Sequence, residues 1–134
     1  MPMKKLFALL LIAFSVLFVV FPAVADAAPK LKASQKIKVS TSRNTRQVNV
    51  TFSNLAAASK ITYELTYKRK GGQDGAGGSV IPSKKQKSVT KTLLFGTCSA
   101  RVCTYHKNVS NIKLKVKVWY YPSLVIQTYN YNIK

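Results

Sequence analysis

Residues 111–121 read Asn-Ile-Lys-Leu-Lys-Val-Lys-Val-Trp-Tyr-Tyr. In an extended chain, Ile112, Leu114, Val116, Val118 and Tyr120 fall on one side, and Lys113, Lys115, Lys117 and Trp119 on the other. The period is two, and no helix places those five apolar residues on one face. The stretch therefore predicts a half-buried strand in the middle of a sheet, with a row of cations on its wet side. Pro122, which cannot donate to a ladder, ends it.

Residues 61–68 are its clearest partner. Ile61, Tyr63, Leu65 and Tyr67 share one face, and Thr62, Glu64, Thr66 and Lys68 the other. β-Branched and aromatic residues dominate, as a strand surface prefers. Two more strands precede this one: residues 36–42, with Ile37, Val39 and Thr41 on one side, and residues 47–52, with Val48, Val50 and Phe52 inward. The alanines at 56–58 allow one helical turn and no more. Residues 88–95 alternate through Val89, Leu93 and Phe95, with Lys91 as an interruption. Residues 124–134 alternate through Val125, Tyr129, Tyr131 and Ile133, with Gln127 as the interruption. The expected core is Val48, Val50, Phe52, Ile61, Tyr63, Leu65, Leu114, Val116 and Val118. About seven short strands with polar turns, and no stretch of helical periodicity outside the leader, predict an all-β fold: a single antiparallel β-sandwich over residues 36–134.

Residues 69–78 combine Arg69 and Lys70 with five glycines. They resemble a phosphate-cradling loop, but neither a Gly-Lys-Ser/Thr ending nor the spacing G-x-G-x-x-G is present. Glycine at this density predicts an exposed, mobile connection without a bound nucleotide. A very short edge strand would follow at residues 79–81 and stop at Pro82.

The N-terminus has the pattern expected of an export signal. Lys4 and Lys5 precede an uncharged apolar run over residues 6–21, Pro22 breaks it, and Ala23-Val24-Ala25 and Ala25-Asp26-Ala27 are overlapping small-x-small cleavage patterns. The expected division is a signal peptide at 1–27, cut after Ala25 or Ala27, and a flexible mature N-terminus at 28–35. The alternative is a retained anchor, since the run is nearly long enough to span a bilayer. Cleavage would leave no stable membrane span and a secreted, periplasmic or cell-surface protein. In that compartment Cys98 and Cys103, separated by four residues that suit a hairpin tip, predict a disulfide. A redox or metal role lacks the third cysteine or clustered histidine it would need.

The 134 residues contain 22 Lys and Arg against 3 Asp and Glu. Loss of Lys4, Lys5 and Asp26 with the leader leaves 20 cations, the two acids Glu64 and Asp74, and a net charge of +18. Such charge opposes compaction. It is explained either by general surface character or by a polyanionic partner: DNA, an anionic glycan or wall polymer, or an acidic membrane. Catalysis is not expected. The one histidine, His106, is three residues from Cys103 and so on the opposite face of a strand, and the two acids lie far apart in sequence. No cofactor is implied.

Size, strand number and spacing resemble an immunoglobulin-like sandwich, most nearly fibronectin type III. The resemblance rests on residues 63–67 as the C-like strand, 112–120 as the F-like strand and 124–134 as the G-like strand. The second strand lacks a tryptophan, no tyrosine opens the F-like strand, no Arg-Gly-Asp occurs, and the cysteine pair is local. Leu-Phe-Gly-Thr-Cys at 94–98 with Val-Cys-Thr-Tyr-His at 102–106 also resembles a group of small exported bacterial proteins. The fold resemblance implies a non-catalytic binding or adhesion module of the cell surface or envelope, whose partner would be a surface protein or a glycan. The alternative is a polyanion-binding protein. Its face would be Lys113, Lys115 and Lys117, with Trp119 stacking on a base or sugar ring. Lys68, Arg69, Lys70, Arg101 and Lys107 are expected at the same end of the sheet.

Overall fold

The computed structural model describes residues 30–122 and 125–134. The expected signal peptide at 1–27 lies outside the described residues. Nine strands are present among the described residues: β1 (Lys38–Arg43), β2 (Gln47–Ser53), β3 (Ala58–Arg69), β4 (Gly72–Val80), β5 (Ser88–Leu94), β6 (Gly96–Ser99), β7 (Val102–Tyr105), β8 (Ser110–Tyr120) and β9 (Ile126–Ile133). They form a three-stranded sheet in the order β1-β2-β5, a four-stranded sheet in the order β4-β3-β8-β9, and the β6-β7 hairpin. Every pairing is antiparallel. Single 3₁₀ turns occupy Ala33–Gln35 and Leu55–Ala57, the second where the alanines predict one turn. The fold is all-β and compatible with a β-sandwich.

The alternation of β3 and β8 organises the larger sheet. Ile61 faces Val118, Tyr63 faces Val116 and Leu65 faces Leu114, and all six are buried. The smaller sheet adds Val48, Val50, Phe52 and Leu93 to the same apolar cluster. Across the two sheets the rings of Phe52 and Tyr63 lie 5.6 Å apart at a tilt. All nine expected core residues are buried, joined by Ile37, Leu55, Tyr67, Phe95, Ile112 and Tyr120 among others. Each such large side chain contributes about 1.5–3 kcal/mol on leaving water.

Buried hydroxyls need partners, and Tyr120 has two. Its oxygen accepts from the Ile37 N–H at 3.0 Å, and its proton goes to Tyr129 Oη at 3.0 Å. Tyr129 in turn donates to Gln127 Oε1 at 2.6 Å, which explains the polar interruption in the apolar side of β9. Burial, followed by the bond to Tyr120, pushes the Tyr129 hydroxyl well above its ordinary pKa, so it keeps its proton as the donor. The chain Ile37–Tyr120–Tyr129–Gln127 ties the entry to β1 onto the four-stranded sheet. Residues 30–35, expected to be flexible, carry the first 3₁₀ turn. Asn54 Nδ2 donates to the Ser34 and Lys36 carbonyls at 2.9 and 2.7 Å beside it.

The glycine-rich segment departs from expectation. It is not a loose loop: Gly72–Val80 is an edge strand paired along its length with β3, from Arg69↔Gly72 to Ile61↔Val80. The turn is only Lys70 and Gly71, with Gly71 at φ +89° in the region that favours glycine. The two-residue period is present but nearly invisible in the sequence. Asp74, Ala76, Gly78 and Val80 lie opposite core-side residues of β3, and Gln73, Gly75, Gly77 and Ser79 opposite its wet-side residues. Glycine is required by close approach to backbone: a Cβ at Gly75 would lie 2.5 Å from the Leu65 carbonyl oxygen, and one at Gly77 would lie 2.7 Å from the Tyr63 carbonyl oxygen. The neighbouring strand thus overrides a composition that disfavours strands.

Replacing Leu65 or Leu114 by Ala should destabilise the fold by about 2–5 kcal/mol. Gly77→Val, which forces a side chain against backbone, should cost about 1–3 kcal/mol. Urea unfolding checks both, and unchanged midpoints for all three variants would contradict the assigned faces.

Candidate polyanion-binding face

The register that buries the apolar side of β8 exposes its lysines. Lys113, Lys115 and Lys117 stand opposite Thr66, Glu64 and Thr62 of β3 and opposite Asn132, Asn130 and Thr128 of β9. All three lysines are exposed. Their side chains leave the sheet roughly 7 Å apart along one line, two residue rises per step. The row is thus flanked by hydroxyl groups on the β3 side and by amide and hydroxyl groups on the β9 side, with Glu64 as the single acid. Beyond β3 the wet side of β4 offers Gly75 and Gly77, so the surface falls away on that flank. Two shallow hollows lie between the lysines. One of about 390 Å³ is bordered by Glu64, Thr66, Lys113, Lys115, Asn130 and Asn132, and one of about 250 Å³ by Thr62, Glu64, Lys115 and Lys117.

Trp119 continues the line but is not a bare stacking surface. It is half-buried, and the ammonium groups of Lys60 and Lys117 lie 5.5 and 5.2 Å from its ring centroid. These cation–π contacts hold the two lysines in place. Lys60, opposite Trp119 in register, was not among the residues expected from the sequence.

The other expected residues divide. Lys68 pairs with Ser110 past a register shift, at the end of β3 nearest the start of β8, as anticipated. Lys70 sits in the β3–β4 turn. Arg69 is held by Asp74, with Nε 3.2 Å from Oδ2. Arg101 lies with Ala100 at the tip of the β6-β7 hairpin, both at positive φ, in the two-residue turn that suits hairpin twist. The Cys98–Cys103 disulfide bonds directly opposed residues of that hairpin, as expected. Lys107 lines a different cleft, with Arg43 and Arg46.

A polar cluster at this end is not legible in the sequence. Tyr67, 1 % exposed, has its hydroxyl 2.9 Å from His106 Nδ1. Asp74 Oδ2 lies 3.7 Å from the same nitrogen and also takes Arg69. Burial raises the Tyr67 pKa, and the Asp74 charge raises it further, so the phenol stays neutral beside Nδ1. The Gly75 N–H on Oδ1 at 2.9 Å, then Arg69, hold the Asp74 carboxyl below the usual carboxylate range. With Asp74 hidden in a glycine strand, nothing in the spacing announces that it meets residue 106. Its partner acid Glu64 is on the opposite, wet face, so the two carboxylates do not form a pair. Among the described residues no group of three His, Cys, Asp or Glu could hold a metal ion.

No protein-family model, curated protein or solved structure matches this chain.

A carboxylate with a lowered folded pKa contributes stability above its unfolded value and loses it as pH falls through the folded value. The wild-type urea midpoint should therefore drop below about pH 4. Asp74→Asn should lower the midpoint at neutral pH and flatten this acid limb. Parallel curves for the two proteins would contradict the role assigned to Asp74.

Proposed function

We propose that this protein is an exported, non-catalytic binding module of the cell surface or envelope, with a fibronectin type III-like sandwich that holds an anionic polymer on its lysine face. The disulfide is consistent with an extracellular or periplasmic location. The strand orders support the finer fold reading: the neighbours β3-β8-β9 correspond to the C-F-G order of immunoglobulin-like sandwiches, and β2-β5 to B-E.

The observation that carries the binding proposal is the register itself. Three exposed lysines in line, bordered by Thr62, Glu64, Thr66, Thr128, Asn130 and Asn132, offer alternating charge and hydrogen-bonding groups along one open face, with Glu64 opposite the middle lysine as its single acid. A hydroxyl-rich anionic glycan or wall polymer matches that alternation. A single-stranded nucleic acid would also want free aromatic faces on which to stack its bases, and Trp119 already serves Lys60 and Lys117.

Retention on an immobilised anionic glycan and on DNA, eluted with salt, tests the proposal. Changing Lys113, Lys115 and Lys117 together to Gln should lower the elution midpoint on the glycan more than changing Lys84, Lys85 and Lys87 does. On DNA the slope of log affinity against log salt should fall by about 2–3 if all three lysines replace counterions. Equal shifts from both triples would mean diffuse attraction, and no retention at physiological salt would remove the proposal.

A further inference from the structure

The loop end of the molecule holds a second concave surface, separate from the lysine face. A cleft of about 650 Å³ opens between the β1–β2 turn and the segment joining β7 to β8. Its charged walls are Arg43, Arg46 and Lys107, with His106 part-buried between them and no carboxylate among the lining residues. A volume in the hundreds of cubic ångströms suits a small ligand, such as one or two sugar rings.

The walls are fixed before any ligand arrives. Asn44 Oδ1 accepts the backbone N–H groups of Arg46 and Gln47 at 2.8 and 2.9 Å, which locks the β1–β2 turn. Phe95 then clamps the two sides together: its N–H donates to the Arg46 carbonyl at 2.8 Å, and its carbonyl accepts from the His106 N–H at 2.7 Å. The Arg46 guanidinium lies over the Tyr105 ring, 5.2 Å from the centroid, so its direction is set as well. Tyr67 and Asp74 both lie against His106 Nδ1, which leaves Nε2 without a protein partner among the described residues. Asp74, the nearest acid, is engaged by Arg69 and by the Gly75 N–H. Three cations and an unpartnered imidazole nitrogen are thus gathered around one preformed cleft with nothing anionic lining it. Held this way, like charges repel unless an anion enters.

We infer that this cleft is a binding site for an acidic sugar unit. The carboxylate would sit between Arg43, Arg46 and Lys107, where guanidinium forks and an ammonium make charge-assisted bonds. The ring hydroxyls would meet Thr45, Asn108 and the imidazole Nε2. The site does not depend on the lysine face: its cations come from other strands and turns, and it recognises one unit where the face holds a polymer.

The test is a titration of the full mature protein, labelled with ¹⁵N, using D-glucuronate as probe and D-glucose as control. Glucuronate should shift the amides of Arg46, Lys107, Asn108 and Val109 and the His106 ring saturably, and glucose should not. Arg43→Gln with Arg46→Gln should weaken glucuronate at least about tenfold, the size of a lost charged hydrogen bond. Lys107→Gln, a milder change, should weaken it in the same direction. Both arginines are exposed, so a well-dispersed spectrum is expected of the double variant. The Lys113, Lys115 and Lys117 triple variant should bind glucuronate as the wild type does, even if it loses the polymer. Equal shifts by glucose, wild-type affinity in the arginine variant, or loss of glucuronate in the lysine triple would each overturn the inference.

Discussion

The antiparallel pairing of β3 with β8 imposes two demands at once. One side must bury Ile61, Tyr63, Leu65, Leu114, Val116 and Val118, and the other must keep Lys113, Lys115 and Lys117 in water. A slip of one residue would exchange the faces, sending three ammonium groups into the core and the apolar set into solvent. Burial of unpaired charge is far more costly than any single hydrogen bond can offset. The core and the cation row are therefore one feature of the chain, and the lysine face follows from the same alternation that holds the sheets together.

Charge on this scale has to be placed. With 22 Lys and Arg against 3 acids in the sequence, few cations can find a carboxylate. Lys60 and Lys117 find an aromatic ring, and Arg46 another. Arg69 takes Asp74, which also lies near His106. The interior of the four-stranded sheet avoids the problem by using neutral hydroxyls in series, from Ile37 N–H through Tyr120 and Tyr129 to Gln127. What is left over is exposed cation, part of it in line on the β8 face, part around the loop-end cleft, and part around Lys38, Lys84, Lys85 and Lys87.

The strands whose side chains alternate in size and polarity were readable directly from the sequence: β2, β3, β5, β8 and β9 all appear where the period of two places them. The disulfide hairpin was readable from the number and spacing of its cysteines. β4 was not, because Gly75, Gly77 and Gly78 carry no side chains in which a period could show; the partner strand supplies the order there. The Tyr67–His106–Asp74 cluster was hidden for the same reason, since it depends on β4 lying beside β3. The lysine row was fully legible, but the engagement of Trp119 was not: Lys60 meets it only through cross-strand register, which local spacing does not encode. Gln127 looked like a flaw in β9 and is instead the acceptor that completes a hydroxyl chain.

The register of β3 against β8 can be measured without reference to any ligand. Cross-strand nuclear Overhauser contacts between backbone protons should join Thr62 to Lys117, Glu64 to Lys115 and Thr66 to Lys113. α-Proton to α-proton contacts displaced by one residue in place of these, with Thr62 against Val116 or Val118 and Glu64 against Leu114 or Val116, would contradict it. They would also remove the lysine row from the exposed face.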